Sequence, residues 1–463
     1  MEVFATIVML AWIPTVLVLF AVVPPQRAVL VAMIGAWLFL PVVAYRLPFL
    51  PDYTKVSATC AGVFLGALIF DAKRIVRFLP GWVDLPVAMF CACPLASSLV
   101  NGLGLWDGVS GVLNSLVSWG LPYLIGRIYF TDAKGLRELA IGLFIGGLLY
   151  VPLCMFEIRM SPKLHSMVYG FAPREVQMRF GGWRPNVFMD GGLQVGLWMT
   201  AASLAGLWLW WKGAVKKLWG LSMSGLVLVL FATTVLCRST GALALLFLNM
   251  AALGGCMLTK NRLVLIGLVL LPPTYVALRT SGLWHGEQIV ELARILDSNR
   301  ADSLQFRINN ENILLAKALQ QPIFGWGGWG RGRVYDEWDN DVSITDGRWI
   351  IELGAHGIVG VASCFAAMLL PLALLTTRFP ARRLLSTELA PALALAMIVM
   401  NYAFDSLPNS MANPVFMFVG GAVISFSVAR GNAREAIEQD EYDPTNKEPA
   451  ESIPLRRLHP GSV

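Results

Sequence analysis

Apolar runs of about 20 residues, the length that crosses a bilayer as a helix, recur from one end of this 463-residue chain to the other. No other feature constrains the fold as tightly. Charged residues make up only 14% of the chain, where a soluble protein carries roughly 25%. The runs lack the apolar–polar alternation of barrel strands, which excludes a β-barrel. The expected fold class is therefore all-α: a polytopic transmembrane helix bundle of about 12–13 spans with one large, partly helical loop. Spans are predicted near 3–23, 28–45, 56–70, 82–100, 109–130, 138–158, 186–211, 218–236, 241–258, 262–278, 347–376, 386–406 and 414–429. The integral domain so defined covers 1–430, with 279–346 inserted as the large loop. Residues 431–463 are polar and acidic, then Pro-rich, and read as a disordered cytoplasmic tail.

Orientation follows from Lys and Arg in the short loops. Arg27, the trio Lys73, Arg74 and Arg77, the pair Lys134 and Arg137, and Lys212, Lys216 and Lys217 fall in alternate connections, as do Lys260, Arg262, Arg378, Arg382 and Arg383. That face is expected to be cytoplasmic. The 279–346 loop, the 159–185 loop and Arg238 are then expected outside. The seven cysteines lie in or at the ends of apolar segments and suggest no disulfide framework. The four histidines are too scattered for metal-ligand spacing. The N-terminus reads as a retained span rather than a cleaved signal.

The stretch 279–348 holds seven arginines and the longest polar run between two apolar segments. Within it, 303–320 has helical spacing, with Phe306, Ile313, Leu314 and Ala318 near one face and Glu311 and Lys317 elsewhere. Pro322 and Gly325 are expected to stop this helix, and Arg307 to point back toward the bundle. Gly325 to Gly330 matches Gly-x-Gly-x-x-Gly, but it follows a helix rather than a strand. It reads as a tight turn with interfacial tryptophans, not a dinucleotide site. Pro272 and Pro273 are the best hint of a broken span. Ionisable residues gather at span ends: Arg184, Arg238, Arg348, Asp190, Glu352 and Asp405. Such groups are costly at membrane depth and tend to face a bundle interior or a wet cavity, so a polar outer cavity is expected.

Four pieces, in this order at the outer ends of spans, carry a resemblance: GGWRPN (181–186), CRSTGALALL (237–246), QFRINNENILLAKALQQPIFGWGGWG (305–330) and TDGRWIIELGAHGIVG (345–360). Together they resemble the O-antigen ligase and polymerase superfamily, bacterial membrane glycosyltransferases of the GT-C type, over roughly 180–376. The resemblance implies transfer of a glycan from undecaprenyl diphosphate to an acceptor hydroxyl on the outer face of the inner membrane, with no cofactor and no metal. The partners it implies are the lipid-linked donor, an acceptor glycan or lipid, membrane lipids and other polysaccharide-export proteins, with no nucleic acid. On matching positions, the arginines that hold the diphosphate would be Arg184, Arg238 and Arg307. Ligases of this type carry a His just before the span that ends in Gly-x-x-Gly; here Asp346 stands at that position, while His356 sits later in the span. Asp346 is thus the candidate general base, and the departure favours a polymerase over a ligase. A transporter or flippase of an anionic solute or lipid is the rival reading; its sequence mark would be paired broken spans and an internal repeat.

Overall fold

The computed structural model describes residues 2–442 apart from Phe180, Asp297 and Trp329. Residues 443–463, most of the expected tail, lie outside the described residues. The chain opens with α1 (Glu2–Val22), α2 (Pro25–Phe39), α3 (Lys55–Phe70), α4 (Ala72–Val76), α5 (Leu85–Val100), α6 (Leu105–Ser115) and α7 (Leu121–Tyr129). It continues with α8 (Ala133–Met160), α9 (Leu164–Tyr169), α10 (Gly192–Trp211), α11 (Met223–Leu236), α12 (Thr240–Thr259) and α13 (Leu263–Thr280). The last third holds α14 (Glu287–Leu296), α15 (Ser298–Ala318), α16 (Arg348–Arg378), α17 (Ala381–Leu384), α18 (Ala390–Asp405) and α19 (Pro414–Tyr442). Three antiparallel hairpins of two-residue strands close loops: β1 (Ala44–Tyr45) with β2 (Tyr53–Thr54), β3 (Met178–Arg179) with β4 (Gly182–Trp183), and β5 (Lys217–Leu218) with β6 (Leu221–Ser222).

Among the described residues, seven helical segments are long and apolar enough to cross a membrane: α1, Trp82–Val100, α8, α10, α12, α13 and α16. Five shorter apolar helices accompany them: α2, α3, α11, α18 and the Pro414–Ala429 part of α19. The expected segment 109–130 is built from α6, a π turn at Leu116–Gly120, and α7. Helix starts follow capping chemistry. Thr54 accepts from the Ser57 N–H to open α3, and Asp132 accepts from the Gly135 N–H at 2.8 Å to open α8, each satisfying a donor that the first turn leaves unpaired. α10 begins at Gly192 rather than near 186. Val187 takes a left-handed φ of 51°, and the N–H groups of Asn186 and Val187 are held by Glu157 instead of a helix.

α10 and α18 are buried almost throughout and form the centre, with α16 and α19 packed on α18. α1, α12 and α13 keep most of their length at the surface. That surface is apolar: Leu10, Val18, Phe247 and Leu270 are exposed. A broad exposed apolar surface marks a contact with lipid or another protein, and on helices of this composition it fits a membrane protein. Two sequence expectations about broken helices reverse. α13 runs through Pro272 and Pro273 as one helix, whereas α16 breaks at Gly357 (φ 65°, ψ −162°).

The insertion between α13 and α16 is more helical than the sequence suggests. α14 and α15 form an antiparallel pair around Val290, Ala301 and Ile308, and α15 packs on α16. α15 also turns a different face inward than its apolar pattern predicts. Leu314 and Ala318 are buried, but so are Asn310 and Glu311, while Phe306 and Ile313 face outward. The physical reason is a buried charge on the bundle. Arg279 at the end of α13 is 1% exposed and draws Glu311 to 3.2 Å; a buried charge must be paired and hydrogen-bonded.

Candidate functional site

Arg184 follows the β3–β4 hairpin and is 1% exposed. Its Nη2 donates to Ser239 Oγ at 3.0 Å. Its stem crosses Gly192 so closely that a Cβ there would stand 2.5 Å from Arg184 Cγ. Arg238, next to Ser239, sits in the middle of the short corner 237–239 between α11 and α12 with a left-handed φ of 55°. It donates from Nη1 to the Arg179 carbonyl, and its guanidinium lies on Gly182, where a Cβ would be 2.4 Å from Cζ. A bulky residue with positive φ is an outlier, and such strain persists only where the surroundings over-determine it. Here the hairpin and the corner hold each other. Glu157 fixes the hairpin from below: its carboxylate accepts N–H bonds from Leu164, Asn186 and Val187, each at 2.8 Å.

Arg307, on α15, reaches the loop between α18 and α19. Its Nη1 donates to the Pro408 carbonyl at 3.0 Å and to Asn409 Oδ1 at 3.4 Å, and its Nε stands 3.6 Å from Asp346 Oδ2. Asp405 ends α18 and is 6% exposed; Asn409 Nδ2 donates to its Oδ1 at 2.9 Å. Asn409, which accepts from Arg307 and donates to Asp405, joins the two. Arg348, the first residue of α16, docks on the same loop. Its N–H reaches the Ser406 carbonyl at 2.9 Å, and its Nη2 reaches the Ser410 carbonyl at 2.7 Å.

The loop 406–413 is therefore the hub of this end of the molecule, and sequence reasoning missed it. Only Asp405 was singled out there. The available signal was a polar string, Asp405, Ser406, Asn409, Ser410 and Asn413, set between two apolar helices.

α15 is held against the bundle by a closed polar cluster. Glu311 accepts from Tyr275 OH at 2.9 Å, from Trp349 Nε1 at 3.1 Å and from Arg279, which also donates to Asn312 Oδ1 at 2.9 Å. Burial pushes the Glu311 carboxyl above its ordinary range, and the Arg279 charge with these donors offsets only part of that rise. The cluster fixes the helix that carries Arg307.

The Gly-rich stretch is not a free surface turn. It lies across the break in α16, backbone to backbone. Trp326 N–H bonds the Gly354 carbonyl at 2.8 Å and Gly327 N–H the Ala355 carbonyl at 3.0 Å, while Ile358 N–H returns to the Pro322 carbonyl at 2.8 Å. Ser97 Oγ donates to the Ala355 carbonyl at 2.8 Å, and Asn101 Nδ2 to the Gly325 carbonyl at 2.8 Å. The groups freed by the break are thus re-paired by protein, as irregular backbone at membrane depth requires. A Cβ at Gly325 would stand 2.5 Å from Ala355 C, and one at Gly357 2.3 Å from Ile323 C; both residues have positive φ. Beside the break, His356 Nδ1 is 2.7 Å from Glu352 Oε2, and Glu352 Oε1 is 3.1 Å from Arg348 Nη1.

Of the four residues expected from sequence, Arg184 sits against Ser239, the neighbour of Arg238. Arg307 sits against Asp346 and reaches Asp405 through Asn409. No protein-family model matches the chain, and no curated protein matches it significantly.

Proposed function

We propose that this protein is a multispanning inner-membrane glycosyltransferase of the O-antigen polymerase/ligase type, with the 279–346 loop on the periplasmic side. What supports the reading is that Arg184, bonded to Ser239, and Arg238, seated on the hairpin that precedes Arg184, are packed together from separate stretches of chain, while Arg307 pairs with Asp346 where α15 reaches the 406–413 loop. In this account their guanidinium groups hold the diphosphate of an undecaprenyl-linked glycan. Arginine's planar fork binds phosphate oxygens in pairs and stays charged at any working pH.

The reaction is a displacement at the anomeric carbon. The acceptor hydroxyl oxygen forms the new glycosidic bond, its proton passes to the Asp346 carboxylate, and the bond from the anomeric carbon to the diphosphate oxygen breaks. Undecaprenyl diphosphate leaves with the negative charge that the arginines neutralise. Direct displacement inverts the anomeric centre. Asp346 suits the proton's destination because it is part-exposed and beside Arg307, so acceptor and leaving group can meet there.

The rival reading, transport of an anionic solute or lipid, draws on the broken α16. Against it, the break is filled by the backbone of 322–327, and the cleft lined by Gly354 and Ala355 has a volume of only about 30 Å³. The deciding experiment is a deletion strain scored for its surface glycan. Loss of polymer with the first unit still attached supports a polymerase, and accumulation of lipid-linked polymer supports a ligase. Unchanged surface glycan together with loss of uptake or export of a soluble anion rejects the reading.

A further inference from the structure

At the end of the bundle opposite the 279–346 loop, a cleft of about 410 Å³ opens between the α4 segment, α7 and α19. Arg74, Arg77 and Arg127 line it together with Phe78, Leu79 and Val428. The three cations are not equivalent. Arg127 is buried and locked to Asp84 through bonds of 2.7 and 3.0 Å. Arg74 is half-exposed, 3.3 Å from Asp71 and 3.3 Å from the Tyr129 carbonyl, with its guanidinium over the Tyr129 ring. Arg77 is exposed and has no ion-pair partner among the described residues. The cleft therefore carries one uncompensated positive charge beside a second that can turn toward a ligand.

Its surroundings point to the ligand's other half. Val76 and Leu79 are 81% and 82% exposed, and Trp82 and Leu85 project outward beside them. Cations interleaved with exposed aliphatic side chains and a tryptophan form the pattern of a segment lying at the headgroup–acyl boundary. The neighbouring basic cleft at Lys260, Arg262 and Arg378 differs. There Arg262 is spent on the Thr376 and Thr377 carbonyls and Arg378 on the Ser427 carbonyl.

We propose that the Arg74–Arg77 cleft binds the phosphodiester headgroup of an anionic glycerophospholipid, with its acyl chains running along Leu79 and Leu85. The site rests on the membrane reading alone and is independent of glycan transfer. Basic pockets between helices on the cytoplasmic side are suited to such headgroups.

The test uses the full-length protein in a neutral detergent, titrated with phosphatidylglycerol, phosphatidylcholine or glycerol 3-phosphate, with the thermal unfolding midpoint as readout. Phosphatidylglycerol is expected to raise the midpoint saturably, and the other two to leave it unmoved. Arg77→Gln should raise the half-saturating concentration about five-fold, the effect of one cation near an anionic surface. Arg77→Lys and Lys260→Gln, the latter removing a charge from the same end outside the cleft, should leave it near wild type. Three results each overturn the site: an unchanged curve for Arg77→Gln, an equal response to phosphatidylcholine, or a full response to glycerol 3-phosphate, which would make it a soluble-phosphate site.

Discussion

Arg307 Nε stands 3.6 Å from Asp346 Oδ2, which joins a residue of α15 to one in the loop before α16, two residues read from sequence as having different roles. The carboxylate gives the guanidinium a partner; in the proposed reaction the guanidinium turns to the diphosphate when donor binds, and the carboxylate is left to take a proton. Asp346→Asn keeps the size of the side chain and removes the base. We expect a fall in transfer rate of 100-fold or more, the scale of a lost general base, with donor affinity unchanged. Weaker donor binding at an unchanged maximal rate would assign Asp346 to binding instead.

The backbone contact between the Gly-rich stretch and α16 leaves no space for a side chain. Gly357→Ala puts a methyl group into the Ile323 carbonyl and forces a left-handed φ on alanine. The cost is about 1–3 kcal/mol for the backbone alone, plus the displaced contact. A clearly lower unfolding midpoint is expected for Gly357→Ala, whereas Gly254→Ala, on the open side of α12, should fold as wild type. Equal midpoints for the two variants would mean that the loop does not seat on the break.

Arg279 and Glu311 make a sharper stability test. Removing one member of a buried pair strands the other, a loss of about 3–5 kcal/mol. Arg279→Met should therefore destabilise strongly, and adding Glu311→Leu to it should recover much of the loss. Because α15 carries Arg307, the single variant should also lose activity and the double variant regain part of it. Additive effects in thermal unfolding would contradict the pairing.

His165 sets a pH dependence. Burial pushes its imidazole below the ordinary value of 6.5, and its Nε2 accepts from the Val42 N–H at 3.1 Å while Nδ1 faces the Phe171 carbonyl at 2.7 Å. Only the neutral ring can accept at Nε2. A depressed folded pKa means that the unfolded state binds the proton first, so this stabilisation is complete above about pH 6.5 and declines as pH falls from there toward the folded value. Amide exchange at Val42 should accelerate on acidification through that window and become pH-insensitive, after correction for intrinsic exchange, in His165→Gln.

How much of this was legible beforehand differs by residue. The apolar helices announced themselves through composition, because a spanning segment must be apolar over nearly its whole length. Arg184 and Arg238 were visible as cations at segment ends, and Arg307 as a cation within the helix of the long loop. What the sequence could not tell was which polar group turns inward. On α15 the apolar face was visible, but not that a buried arginine on another helix would draw Glu311 inward beside Leu314 and Ala318 while Phe306 and Ile313 stay exposed. The Pro272–Pro273 pair looked like a break and is helical, since neighbouring backbone in a bundle tolerates proline. The true break, at Gly357, depends on a loop that arrives from 30 residues away in the chain. The 406–413 loop was overlooked because Arg307 and Arg348 meet it mainly through its carbonyls, which leave no mark in a sequence.

The most direct measurement is the initial rate of glycan transfer by the purified full-length protein in liposomes without any gradient, given an undecaprenyl-diphosphate oligosaccharide and acceptor. Wild type should form product, and Arg307→Ala, with Arg184→Ala and Arg238→Ala beside it, should each fall on the order of 100-fold or more at equal protein level and unchanged fold. Product at the wild-type rate from Arg307→Ala would contradict the account.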